Sequence, residues 1–282
     1  MKTRLAEPAV LIDLGKISTL SYINEQDGGL AIGAMTTYSE IAGSELVQSN
    51  APVLAEASGQ VADNQIRNRG TIGGSLSHSD PAGDLPAVAL ALGAQLTTSS
   101  SGAHRTISAD DFFVDLLTTA LEPNEILSEI VIPALPAGTG TAYAKFANKA
   151  SHYAVVGVAA VVTVGSDGTC QSARIGITGA GPKATRATGT ESALVGSNLD
   201  DSAVRAAASH AGDGIDFNED VHASGEYRAH LISVYAARAI RAAVENASWP
   251  TNLVRQLNMN RKGQPTNWLP LFLRQVFRAS AF

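Results

Sequence analysis

Gly70, Gly73 and Gly74 stand beside Thr71 and Ser75 in the segment running from Ile66 to Pro86, so small residues and hydroxyls are concentrated within a few positions. Such a segment lets backbone amides and side-chain hydroxyls approach a diphosphate closely, where a Cβ would obstruct. Arg67 and Arg69 add positive charge just before the glycines, and Asp80 and Asp84 follow them as acceptors for a ribose or ring N–H or O–H group. Paired glycines among small polar residues are also ordinary turns. The flanking charges favour a phosphorylated cofactor. The three-glycine dinucleotide fingerprint is absent, because no strand–glycine–crossover-helix pattern surrounds these residues.

Other chemistries fare worse. His78, Asp80, Asp84 and His104 lack the paired spacing of a zinc site. Ser75 and Ser79 have no evident histidine partner for nucleophilic work. The single cysteine, Cys170, can neither complete an iron–sulfur cluster nor form an internal disulfide, which fits a reducing, cytoplasmic setting. Arg186, Arg228 and His230 suit folding or subunit contacts.

Charge is uneven along the 282 residues. Five basic residues and no acidic ones lie from Trp249 to Phe282, so the preceding 248 residues hold 15 basic against 26 acidic groups. An acidic body of this kind argues against a nucleic-acid partner. No run reaches the ~20 apolar residues of a membrane span, and no signal peptide is evident at the start.

Periodicity then supplies the elements that must hold the glycine segment. Tyr38 to Val47 and Pro52 to Ala62 read as helices, the second with Val53, Leu54, Ala57 and Val61 on one apolar face. A short buried helix over Leu85 to Leu92 closes at Gly93. Ala94 to Thr98 and Ala103 to Ile107 form a hairpin, Ser108 caps a helical turn, and Leu127 to Ile132 alternates as a strand. The Pro/Gly-rich stretch from Pro133 to Gly140 marks a domain boundary. Beyond it, Tyr153 to Val164 and Ser172 to Thr178 form a hairpin turning at Asp167-Gly168. Helices follow at Thr190 to Val195, Ser202 to Ala211 and Gly225 to Asn246, the last capped by Ser224 with Leu231, Val234 and Tyr235 on one face. A small antiparallel sheet covered by helices is the expected second domain.

Thr71-Ile72-Gly73-Gly74-Ser75 followed by Asp80-Pro81-Ala82-Gly83-Asp84-Leu85-Pro86 resembles the second flavin-binding loop of the FAD-binding medium subunits of molybdenum hydroxylases, the carbon monoxide dehydrogenase and xanthine dehydrogenase family. Met1-Lys2-Thr3-Arg4-Leu5-Ala6-Glu7-Pro8, Leu11 to Leu14 and Ala31 to Tyr38 are similar to the family's upstream segments. Glu125 to Ile130, Tyr143 to Phe146 and Tyr153 to Val156 are similar to downstream ones. The resemblance covers residues 1–247. It implies an α+β, two-domain flavoprotein of the PCMH-type, vanillyl-alcohol-oxidase-like fold: an FAD-binding domain over 1–137 and an antiparallel sheet with helices over 141–247. Residues 248–282 form an atypical basic tail to which the resemblance does not extend. The tail is read as an unrelated or poorly ordered extension, with an amphipathic interaction or membrane-surface helix over Trp268 to Phe277 as the alternative.

The resemblance also implies FAD as cofactor and an oxidoreductase role. Electrons would pass from the 2Fe-2S small subunit, after substrate oxidation by a molybdenum-cofactor large subunit, through FAD to a terminal acceptor in a dimer of heterotrimers. On this reading Thr71, Ile72, Gly73, Gly74 and Ser75 line the pyrophosphate, and Asp84 meets a ribose or adenine-side donor. Leu127 offers a backbone contact to the flavin ring, Lys145 places positive charge near it, and Tyr153 lies beside the isoalloxazine. Family members carry a first loop, Ala-Gly-Gly-X-Ser, just before the stretch on which this sequence opens. A chain holding only one of the two loops is therefore expected, and with it the alternative of a flavin-free structural or assembly subunit.

Overall fold

The structure, a computed structural model, describes residues 8–248. The Met1–Glu7 part of the resemblance and the tail with its Trp268 to Phe277 segment lie outside the described residues.

The first half opens with a hairpin, β1 (Ile23–Gln26) and β2 (Gly29–Gly33), and continues through α1 (Tyr38–Gly43), α2 (Glu45–Asn50), α3 (Pro52–Gln60), α4 (Asn64–Arg67), α5 (Ile72–His78) and α6 (Asp84–Leu92). Strands β3 (Gln95–Ser100) and β4 (Ala103–Ser108) follow, then α7 (Ala109–Phe112), the small hairpin β5 (Phe113–Asp115) and β6 (Thr118–Thr119), and β7 (Ile126–Ile132). The larger sheet has the order β1-β2-β7-β3-β4, with every pairing antiparallel.

The second half contains β8 (Thr139–Ala147), β9 (Ala154–Val164), β10 (Cys170–Thr178), β11 (Thr185–Arg186), α8 (Thr188–Leu194), α9 (Asp201–Ala208) and α10 (Gly225–Ser248). Its antiparallel sheet runs β11-β10-β9-β8, and α10 packs across β8 and β9. Two antiparallel sheets with their helices form an α+β fold of two units, as the resemblance implies.

Helix α6 joins the units. All nine of its residues are buried, and it packs against α3 and α5 on one side and β9 and β10 on the other. Apart from Asp84 at its start the helix is apolar on every face, which suits a helix enclosed on every side. Gly93 ends it in the left-handed conformation (φ +64°) while its N–H bonds back to the helix. One apolar cluster accordingly takes in Leu76 and Leu90 from the first unit and Tyr143, Ala159 and Val161 from the second.

Several boundaries differ from the sequence reading. Tyr38 to Val47 is two helices, because the Ser44 hydroxyl accepts the Val47 N–H and caps a new start. The glycine segment is a helix opening rather than a loop: Thr71 caps α5 through the Gly74 N–H, and Gly73 and Gly74 lie inside it. Strand β8 begins at Thr139, within the Pro/Gly-rich stretch. On α10 the buried stripe is Ile232, Ala236, Ala239, Ile240 and Ala243, whereas Val234 and Tyr235 are half-buried.

Candidate functional site

Helix α5 starts where it does because its first amides are already claimed. The Ile72 N–H bonds Thr36 O at 3.0 Å, the Gly73 N–H bonds Ala34 O at 2.8 Å, and the Gly74 N–H bonds the Thr71 hydroxyl at 3.1 Å. Glycine is needed at 73, since a Cβ there would sit 2.5 Å from that of Ala34 and 2.7 Å from its carbonyl oxygen. Ile72 and Gly73 are therefore buried anchors that lash the helix to the segment after β2.

The exposed side of this helix borders a cleft of about 530 Å³. Thr71, Gly74 and Ser75 line it, as do Met35, Tyr38 and Ile66 and, from the far unit, His152 and Tyr153. Volumes of several hundred Å³ with apolar walls and a few placed polar groups are typical of cofactor sites. Three non-glycine residues around it have positive φ: Ala62 (+41°), Ser79 (+50°) and His152 (+60°). The His152 ring Nδ1 lies 3.1 Å from Ala62 O, linking the two sides of the rim. Strained backbone of this kind gathers at ligand sites.

Asp84, the first residue of α6, reaches the same cleft and is held from below. Its Oδ1 accepts the Tyr143 phenol at 2.5 Å and its Oδ2 accepts Lys145 Nζ at 2.8 Å. The side chains of Asp84 and Lys145 are 5% and 3% exposed, so this is a buried ion pair. Lys145 also donates to Gln60 O at the end of α3. Burial pushes the Asp84 carboxyl up from the ordinary value, and the Lys145 charge and the two donors oppose that shift. Burial, with Asp84 alongside, also holds the Tyr143 phenol well above its usual range, so it remains the donor. Glu56 on α3 accepts the Tyr143 N–H at 2.9 Å, and burial raises its carboxyl too.

The structure thus brings together most of the residues singled out by sequence. Thr71, Gly74, Ser75, Asp84 and Tyr153 share the cleft wall, whereas Ile72, Gly73, Leu127 and Lys145 do not line it. Leu127 is buried in β7 opposite Thr98. The sequence reading sends Asp84 to the adenine side and Lys145 to the flavin ring. Their 2.8 Å separation puts both at the same part of any extended dinucleotide. Arg67 is occupied by the Val61 and Ala62 carbonyls and by Asn64 Oδ1, which leaves Arg69 as the cation at the rim. Tyr38, Tyr143 and Glu56 were missed. Tyr143 and Glu56 are 87 positions apart in the chain, and no local pattern joins them. Tyr153 is about half exposed, and burial, Asp80 and Asp84 raise its phenol.

The lining fits a flavin nucleotide. Gly74 and the hydroxyls of Thr71 and Ser75 leave room for close approach along one wall, and Arg69 has no ion-pair partner among the described residues. Tyr38, Tyr153 and Met35 offer apolar contact to a planar ring. Fold and cleft together define a two-unit flavin-nucleotide-binding protein.

Residues 1–135 match the family described as FAD binding domain in molybdopterin dehydrogenase, and residues 141–243 match the CO dehydrogenase flavoprotein C-terminal domain. The chain is 39% identical over 243 residues to the carbon monoxide dehydrogenase medium chain of Hydrogenophaga pseudoflava, covering 86% of this chain and 84% of that one. It is 37% identical over 244 residues to the 6-hydroxypseudooxynicotine dehydrogenase complex subunit alpha of Paenarthrobacter nicotinovorans, with 86% and 82% covered. Among solved structures, carbon monoxide dehydrogenase from Hydrogenophaga pseudoflava superposes with a TM-score of 0.84 at 40% identity over 87% of this chain and 85% of that one. Quinoline 2-oxidoreductase from Pseudomonas putida 86 superposes at 0.82 and 33% identity over 88% and 86%. The chain belongs to the family of FAD-binding medium subunits of molybdenum hydroxylases.

Proposed function

We propose that this chain is the electron-transfer subunit of a molybdenum hydroxylase complex in the cytoplasm. In that role it receives electrons from the 2Fe-2S small subunit, after oxidation of substrate by the molybdenum-cofactor large subunit, and delivers them to a terminal acceptor. A dimer of heterotrimers is the assembly. The observation that carries the reading is the cleft itself, in which glycine, hydroxyl, carboxylate and aromatic groups converge in a chain of this family.

FAD, when bound, supplies a ring that accepts electrons singly or in pairs. The chain's own residues bind and orient. Thr71, Gly74 and Ser75 form the wall for the pyrophosphate, with Arg69 as the nearby cation, while Ile72 and Gly73 fix the helix behind them. Tyr153 would pack against the ring and limit water there, and Leu127 would offer main chain from β7. Asp84 faces the ring end rather than the adenine end, because Lys145 and Tyr153 are its neighbours. Lys145 acts through Asp84.

Purification of the chain with both partner subunits tests this reading. One flavin per chain, seen by its visible absorbance and released on denaturation, is the expected result. A complete complex without flavin would overturn it and leave the structural or assembly role. The observation favouring that second reading is that the first amides of α5 are bonded within the chain.

A further inference from the structure

We propose that Tyr143 is a positioning residue of the flavin site, acting through Asp84 to set the redox potential of the cofactor in the cleft. The inference rests on the FAD reading above.

Tyr143 lies on β8, is enclosed, and does not line the cleft. Among the described residues its phenol is tied to the cleft lining by the 2.5 Å bond to Asp84 Oδ1. The site is built around that phenol. β9 places Gly157 opposite Lys145, and a Cβ at 157 would lie 3.1 Å from Tyr143 Cζ, closer still to its oxygen, and 2.8 Å from Thr178 Cγ2. Such separations are too short for a real Cβ, so glycine there leaves the space the phenol occupies. On the other side Glu56 Oε2 holds the Tyr143 N–H at 2.9 Å, tying this point of β8 to α3.

The electrostatic consequence has a definite sign. Adding electrons to a ring in the cleft adds negative charge near Asp84, and a buried carboxylate opposes that. Tyr143 and Lys145 each donate to one Asp84 oxygen, so both draw charge away from the cleft. Without the phenol, Oδ1 carries uncompensated charge toward the ring, the reduced state loses support and the potential falls.

Tyr143→Phe removes one oxygen and keeps the ring in the core. Spectroelectrochemical titration of the bound flavin, with the FAD dissociation constant measured alongside, reads the effect. The expected result is about a tenfold shift of the equilibrium toward the oxidised form, close to 30 mV lower for a two-electron couple. Gly157→Ala, which displaces the phenol and deletes no polar group, shifts the potential in the same direction and serves as a second probe should the first variant fold poorly. In a background carrying Asp84→Asn with Lys145→Met, which discharges the pair, Tyr143→Phe is expected to change nothing further. An unmoved potential in both single variants, or an undiminished shift in the discharged background, overturns the proposal. Failure of the unaltered protein in its complete complex to bind FAD overturns the parent reading and this inference together, whereas bound flavin with an unmoved potential overturns only the role of Tyr143.

Discussion

Asp84 occupies the position where binding and stability meet, because one carboxylate faces the cleft and also neutralises a lysine buried to 3% exposure. Replacing it by Asn leaves Lys145 with its carbonyl and amide acceptors but without a counter-charge. Breaking a buried pair from one side typically costs about 3–5 kcal/mol, much more than its net worth, because the remaining ion stays desolvated. Asp84→Asn is therefore expected to lose stability on that scale in urea unfolding, and Asp84→Asn with Lys145→Met to lose less than Asp84→Asn alone. A single substitution costing under about 1 kcal/mol would show that Lys145 escapes to water. Sequence named both residues but not their pairing. Sixty-one positions separate them, and only the tertiary fold, with α6 packed on β9 and β8 paired to β9, brings them together.

Helix α6 carries that geometry, and its contact with the second sheet is unusually close. A Cβ on Gly176 of β10 would lie 2.8 Å from the Ala87 carbonyl carbon, with backbone rather than a yielding side chain as the obstacle. Gly176→Ala should cost about 1–3 kcal/mol by overpacking. Thermal unfolding monitored by circular dichroism checks this, and an unchanged midpoint would mean that the sheets separate more easily than the packing indicates. Elements set by local chemistry were legible from sequence: α6 with Gly93, the hairpin β3–β4, and the Ser108 cap, whose hydroxyl accepts the Asp111 N–H. Elements set by distant partners were not. The start of α5 was hidden because two glycines disfavour helix, and its amides are fixed by Ala34 and Thr36 on a segment some forty positions earlier. Strand β8 was obscured by prolines and glycines at its entrance, although its register with β9 is continuous from Thr139 to Phe146.

At the scale of the whole molecule, the cleft and the core are shared in the same way. Residues between 35 and 84 of the first unit and 151–153 of the second line the cleft, and one apolar cluster spans α6 and residues of β8 and β9. Neither unit can open without exposing surface buried by the other. The Arg174 guanidinium adds a polar tie, donating to Leu90 O at 2.8 Å and to Asp110 on α7 at 3.1 Å. Unfolding of the unliganded chain is therefore expected to be a single transition despite the two sheets. FAD binding to the folded form alone then stabilises both units together by RT ln(1 + [L]/Kd), about 2.7 kcal/mol at a hundredfold excess over Kd. Calorimetry with and without FAD distinguishes the possibilities. One peak moving upward with FAD concentration matches a cleft that clamps both units. Two peaks, of which only one moves, would mean that Tyr153 and the residues beside it form the rim of the site without bearing its ligand.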